Sequence, residues 1–284
     1  VKENEPMARH TTFKIGGPAD WLAEPDSEEQ LAALAAFCRE KEIPHVVLGN
    51  GSNVLVSDEG VRGGVILLGG RFSGLRLAGE SIVAAQAGAT LSQLATFAAD
   101  RGLGGLSFAY GIPGSVGGGI YMNAGAYDGE ISQVLLKARH LEEQGGFGEY
   151  AAGQLDLGYR RSRYQREGKI VVEGFFQLSP ADPEKLRARM KELWGRRVSK
   201  QPLELPSAGS VFKRPEGAYA AALIEGCGLK GRRVGAAQVS EKHAGFIVNL
   251  GGATARDVLA QIELVQENVL RETGYRLERE VRLL

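Results

Sequence analysis

Gly49-Asn50-Gly51-Ser52-Asn53 follows the apolar run Val46-Val47-Leu48, and about sixty residues on comes Gly111-Ile112-Pro113-Gly114-Ser115-Val116-Gly117-Gly118-Gly119. Each stretch offers successive backbone N–H groups that no bulky side chain shields, with small hydroxyl and amide side chains between the glycines. Bare amides in a tight turn form an anion-binding nest, so each stretch reads as a phosphate cradle. Asn-Gly and Gly-Gly are also ordinary turn signals, and one cradle alone would decide little. Two of them beside apolar strands point to a large dinucleotide held from two sides.

The rest of the chain bounds the class. At 284 residues it suffices for one large domain or two medium ones. Lys+Arg and Asp+Glu both number 34, so no net field draws in nucleic acid or an anionic membrane. The 40 glycines lie between apolar runs without a repeat and read as turns and close approaches. Cys38 and Cys227 are far apart and outside any CxxC, which argues against a disulfide framework or a metal site. The first residues, VKENEPMARH, are polar, and no apolar run approaches a membrane span. A soluble cytoplasmic protein is expected.

Capping-box patterns at Ser27–Gln30 and Thr90–Gln93 predict helices carrying Leu31, Leu34 and Cys38, and Leu94, Phe97 and Ala98. Strands are expected at 45–48, 54–56, 65–68 and 82–87, and residues 134–178 read mainly as β, with a basic loop inside. Ser179-Pro180-Ala181-Asp182-Pro183 reads as a linker into a helix lined by Leu186, Met190 and Leu193. Beyond it the pattern predicts a helix near 217–225, a strand at 246–248, a helix opened by Thr254 and a closing strand at 277–282. The expected fold is α+β, with a nucleotide domain over 1–179 (two subdomains, boundary near 70) and a smaller domain over 184–284. Gly226-Cys227-Gly228-Leu229-Lys230-Gly231 matches GxGxxG but follows an alanine-rich helical stretch where the dinucleotide fingerprint needs a strand, so it reads as a helix end.

"HTTFKIGGPADW" (10–21), "VVLGNGSNVLVSDEGVRGGVI" (46–66) and "GIPGSVGGGIYMNAGAYDGEI" (111–131) resemble the FAD-binding domain of UDP-N-acetylenolpyruvoylglucosamine reductases. The resemblance implies the flavin fold of vanillyl-alcohol-oxidase (PCMH) type, non-covalent FAD and NADPH as reductant. Its implied cofactor contacts are Gly49, Asn50, Gly51, Ser52 and Asn53 from one cradle, and Gly114, Ser115, Gly117 and Gly118 from the other.

Three further motifs fit the same family. Gly158-Tyr159-Arg160-Arg161-Ser162-Arg163-Tyr164 is by itself either a solvated basic loop or a source of planar forks for a carboxylate or enolate. The family's Tyr-Arg-x-Ser-Arg pattern selects Arg160. Ala208-Gly209-Ser210-Val211-Phe212-Lys213-Arg214 is by itself a turn entering a strand. A serine there would donate a proton only to something strongly basic, such as an enolate, with Lys213 and Arg214 near to hold the alkoxide; the family's Gly-Ser-x-Phe-Lys pattern selects Ser210. The terminal Leu277–Arg282 alternation would place Glu280 where the family has its glutamate, which must hold its proton to donate beside a substrate carboxylate. Lys200, Lys213, His243 and Asn249 are the candidates for the UDP-sugar, His243 being equally readable as structural. The implied substrate is UDP-N-acetylglucosamine enolpyruvate and the implied state a monomer. Only fifty positions separate Arg160 from Ser210, which resembles the shorter subtype without the substrate-covering tyrosine loop. Two other readings stay open: an oxidase of the same flavin fold acting on an aldonolactone or hydroxyacid, which needs no Ser210 motif, and a non-catalytic nucleotide-sugar sensor.

Overall fold

Side chains that satisfy the orphan N–H groups of a helix start set where four of the seven α-helices begin. The computed structural model describes all 284 residues. Ser27 accepts from the Gln30 amide to start α1 (Glu28–Glu40), and Thr90 and Gln93 form a reciprocal capping box that starts α2 (Leu91–Ala99). Ser115 caps α3 (Val116–Tyr121), α4 is Arg163–Glu167, and Pro183 opens α5 (Pro183–Lys200). Further on come α6 (Ala220–Gly226) and α7 (Ala255–Thr273), the latter begun by a Thr254–Asp257 capping box.

The chain divides into two compact units. One comprises Leu22–Asn50 and Gly64–Arg197 together with Val1; the other comprises Lys2–Trp21, Gly51–Gly63 and Val198–Leu284.

In the first unit, a five-stranded antiparallel sheet runs in the order Phe147–Ala151, Leu135–Leu141, Ile170–Gln177, Ile82–Gln86, Leu75–Leu77. Helix α3 lies against it so closely that a Cβ on Gly174 would come within 2.6 Å of Ile120 Cδ1. Val83, Leu91, Leu94, Val116, Ile120, Tyr164 and Phe176 form its buried core. His45–Leu48 pairs in parallel with Gly64–Leu67, and its end delivers the first glycine segment.

In the second unit, Ser207–Ser210, Phe246–Asn249, Ala237–Val239 and Arg233–Val234 form an antiparallel sheet in that order. Its core combines Val211, Ile224, Ile247, Val258, Ile262 and Val265 with Phe13, Ile15 and Leu55. Val54–Leu55 also pairs in parallel with Arg282–Leu283.

Several expectations change. The compact units are discontinuous where 1–179 and 184–284 were expected to be successive, because Phe13, Ile15 and Leu55 bury themselves among the C-terminal residues. Conversely, α5 as far as Arg197 belongs to the first unit, its Met190 being part of that core. Ser179–Pro180 is no free linker but a short strand paired with Leu103–Gly104. The β region 134–178 also holds α4, and the closing strand shrinks to Arg282–Leu283 plus a single Arg279–Phe212 bridge. The second glycine segment is only partly a loop, since Gly117 and Gly118 stand in the first turn of α3. The GxGxxG match is the end of α6, with Gly228 left-handed at φ +67°. No helix is long and apolar enough to cross a membrane, no cluster of metal-ligating side chains occurs, and both cysteines are free.

Candidate active site

In the first unit the two glycine segments meet. A Cβ on Gly49 would lie 2.1 Å from Ser115 Oγ, so this contact admits only glycine without rearrangement. Asn50 Nδ2 donates to the Pro113 carbonyl, joining the tip of one segment to the other. Most amides of the second segment are engaged. Gly111 N donates to Ser92 Oγ at 2.9 Å, Val116 N to Ala89 O at 2.7 Å, Gly117 N to Ala87 O at 2.8 Å and Gly118 N to Ser115 Oγ at 3.4 Å. The amides of Gly114 and Ser115, at the mouth of α3, donate to no backbone carbonyl, and neither do those of Gly49 and Asn50. Small residues, open donors and a helix N-terminus suit the pyrophosphate of FAD, so the residues present fit that cofactor. Gly117 and Gly118 contribute as the close-packed start of the helix, where a Cβ on Gly117 would come within 2.9 Å of Ala87 Cβ.

Arg160 also belongs to this unit. It sits in a tight turn closed by two bonds of 3.1 Å between Gly158 and Arg161, with φ +52°, and its guanidinium lies 5.3 Å from the centre of the Tyr159 ring. Its neighbours differ in role. Arg161 and Arg166 both bind Asp156, holding that carboxyl below its usual range, the Arg166 hydrogen bond being the larger cause. Arg163 pairs with Glu167. Arg161 is exposed in the turn while Arg163 and Arg166 lie in α4, and all three are spent on these ion pairs; Arg160 is set apart by its backbone.

In the second unit Gly51 takes φ +59°, and a Cβ there would strike the His10 carbonyl oxygen at 2.2 Å. The next residues, Ser52 and Asn53, lead to the C-terminal strand: Asn53 Nδ2 donates to Glu280 O at 3.4 Å, and Arg282 N donates to Asn53 O at 3.0 Å. Glu280 N in turn donates to Val211 O at 2.7 Å, and Lys213 N to Glu278 O at 2.8 Å. The chain after Ser210 therefore runs beside residues 278–280, which places Glu280 next to the serine motif. Ser210 is partly exposed and stands at a register shift between Ser207 and Ser210, after Gly209 in left-handed backbone at φ +75°.

The softer candidates separate. Lys213 Nζ meets Glu278 at 3.2 Å, an exposed pair that contributes little and leaves the ammonium recruitable. Lys200 is exposed at the end of α5, close enough to His243 for its charge to bear on that ring. His243 Nδ1 accepts from Gly245 N at 3.2 Å, and burial lowers its pKa, so the neutral ring keeps Nε2–H as a donor. Asn249 is buried and its carboxamide serves the fold: it donates to Phe13 O and accepts from Gly251 N and Ala253 N.

Sequence reasoning missed the side chains that hold the Arg160 turn, Asn123, Ser162 and Gln165. Asn123 gives the one usable signal, since asparagine tolerates the left-handed backbone (φ +44°) found there.

Comparison with known proteins shows which family the chain resembles along its length. Residues 19–147 match the family model described as FAD binding domain, and residues 201–284 match that of the UDP-N-acetylenolpyruvoylglucosamine reductase C-terminal domain. A UDP-N-acetylenolpyruvoylglucosamine reductase of Clostridium botulinum (strain Okra) is 49% identical, covering 99% of this chain and 91% of that protein. The Syntrophomonas wolfei protein of the same name is 46% identical over 100% of this chain and 95% of its own length. The crystal structure of the Thermus caldophilus reductase superposes with a TM-score of 0.83 at 40% identity, covering 98% of this chain and 97% of that one. The expected α+β class, a PCMH-type FAD-binding domain with a second α+β domain, therefore holds. On full-length likeness and on both domain matches, the chain belongs to the UDP-N-acetylenolpyruvoylglucosamine reductase family.

Proposed function

We propose that this protein reduces UDP-N-acetylglucosamine enolpyruvate to UDP-N-acetylmuramate, a step of peptidoglycan precursor synthesis, using NADPH and non-covalently bound FAD. The observation that carries the proposal is the likeness to reductases of that name over 99% of the chain, which spans the glycine segments, the arginine turn and the serine strand alike.

When bound, FAD supplies the hydride, received from NADPH, that passes to C3 of the enolpyruvyl group. The open amides of Gly49, Asn50, Gly114 and Ser115 would hold its pyrophosphate, Gly51, Ser52 and Asn53 would continue the first segment's contact, and Gly117 and Gly118 would let the start of the helix approach it. Negative charge then grows at C2 and on the substrate carboxylate. Arg160 offers a planar two-donor fork to that charge, and Glu280 helps it polarise the substrate carboxylate; pre-aimed groups of this kind stabilise the transition state more than the ground state. Ser210 Oγ delivers the proton to C2. A hydroxyl is acidic enough for this only toward a carbanion-like centre, which explains a serine where most general acids are histidine or carboxyl. Lys200, Lys213, His243 and Asn249 are the proposed contacts to the UDP-sugar. The same reading makes the enzyme a cytoplasmic monomer.

The test is anaerobic. NADPH bleaches the flavin, and adding the enolpyruvyl UDP-sugar restores its colour within a turnover. In Ser210→Ala the bleaching persists at the normal rate while the return of colour slows by roughly 10²–10⁴-fold, the range for a lost general acid. A wild-type flavin that stays bleached sinks the substrate assignment. An unimpaired Ser210→Ala turnover instead favours an oxidase of the same fold.

A further inference from the structure

Arg160 holds a backbone conformation that non-glycine residues seldom adopt, φ +52°, and such a residue persists only where its surroundings enforce it. Three side chains do so. Gln165 Nε2 donates to the Arg160 carbonyl at 3.1 Å and to the Tyr121 carbonyl at 2.8 Å. Ser162 Oγ donates to the same Tyr121 carbonyl at 2.6 Å, and Asn123 Nδ2 donates to Gly158 O at 3.1 Å. Tyr121 is the last residue of α3, and its carbonyl is one of the acceptors that every helix leaves unpaired at its C-terminus. The N-terminus of that helix, capped by Ser115, belongs to the second glycine segment. One short helix therefore joins the cofactor cradle at its start to the arginine turn at its end.

From this geometry we infer that Gln165 is a positioning residue: it fixes the Arg160 turn to the C-terminal end of the cradle helix and so sets where the guanidinium stands relative to the flavin. The inference rests on the role given to Arg160 above. Gln165 is the member of the clamp that touches both ends, since its single carboxamide nitrogen bridges the arginine's own carbonyl and the helix. It needs two hydrogens on one uncharged nitrogen, and no other side chain of that length except glutamine supplies them. Errors of about 1 Å in such placement cost on the order of 100-fold in rate, so a residue that never contacts substrate can govern turnover.

The experiment uses the FAD-loaded enzyme and four proteins: wild type, Gln165→Met, Arg160→Ala and the double variant. Methionine keeps the length and apolar stem of glutamine but donates nothing. Expected for Gln165→Met is a 10- to 100-fold slower reoxidation by the enolpyruvyl UDP-sugar, with flavin reduction by NADPH and the FAD dissociation constant within twofold of wild type. In the Arg160→Ala background the same substitution changes reoxidation by less than twofold, because there is no guanidinium left to place. Equal slowing in both backgrounds, or a loss confined to FAD affinity and melting temperature, overturns the inference and leaves Gln165 a helix cap. If Arg160→Ala itself reoxidises normally, the role of Arg160 falls and this inference with it. Should Gln165→Met not fold, Gln165→Glu, equal in length and lacking the donors when ionised, makes the same comparison.

Discussion

Replacing Gly49 by alanine tests the contact that joins the two glycine segments. The new Cβ would lie 2.1 Å from Ser115 Oγ and 3.1 Å from Ser115 Cβ. The hydroxyl must swing away, and in doing so it leaves the Gly118 amide it now accepts from at 3.4 Å. Loss of a serine N-cap costs about 1 kcal/mol, within a range of 0.5–2. Opposing this, alanine at a position without positive φ gains about 0.4–1 kcal/mol by restricting the unfolded chain. The residual Cβ contact at 3.1 Å adds a further strain that a few tenths of an ångström of movement relieves. The net expectation is a destabilisation of about 0.5 kcal/mol and a fall in melting temperature of about 1–2 °C, accompanied by weaker FAD binding. Circular dichroism of the apoprotein reads the first, and quenching of flavin fluorescence on titration reads the second. The decisive comparison is Gly49→Ala in a Ser115→Ala background. With the hydroxyl gone, the cap is already lost and the worst clash absent, so the alanine becomes neutral or slightly stabilising. Equal destabilisation in both backgrounds refutes the argument that this contact is what demands glycine.

Two other outcomes follow from buried groups. His140 is buried, Nδ1 at 3.1 Å from Tyr164 Oη, Nε2 at 3.0 Å from Glu142 and 3.4 Å from Lys169 Nζ, and burial pushes its pKa down. The unfolded chain therefore binds a proton that the folded one resists, so stability is full above about pH 6.5 and declines as pH falls below it. Melting temperatures between pH 7.5 and 5.5 should drop, and His140→Asn should flatten the slope to what His243, also pushed down by burial, contributes; a melting temperature that rises toward pH 5.5 contradicts this. Gln261 is fully buried in α7, and neither its Oε1 nor its Nε2 has a hydrogen-bond partner. Since unsatisfied buried polar groups cost about 1–3 kcal/mol, Gln261→Met should raise the melting temperature, and a marked loss of stability would show that the amide is satisfied in solution.

Local signals were legible wherever a boundary depends on neighbours in the chain. Thr90-x-x-Gln93 and the threonine at 254 mark helix starts because capping involves residues three apart, and the structure holds both capping boxes. The candidate site was legible for a different reason: the arginine, serine and glutamate motifs are short and match a family pattern. Helix α3 was not legible, because Val-Gly-Gly-Gly-Ile-Tyr has poor helical propensity. It forms because Gly117 and Gly119 let it press against Ala87 and Leu91, a gain no local pattern displays. The clamp on Arg160 was hidden for the same reason, since its bonds from Ser162 and Gln165 to Tyr121 span more than forty positions.

By itself, then, the sequence determined the chemical inventory: two glycine-rich runs of unshielded amides, a cluster of arginines beside a Tyr, a serine just ahead of Lys213 and Arg214, a neutral overall charge. Tertiary structure alone decided which of these residues stand together. Residues 2–21 and 51–63 join the C-terminal residues because Phe13, Ile15 and Leu55 find their apolar partners there and Val54–Leu55 pairs with Arg282–Leu283. Burial and strand pairing reward any two segments of complementary surface, whatever the length of chain between them, and that separation is what a reading along the chain cannot cross.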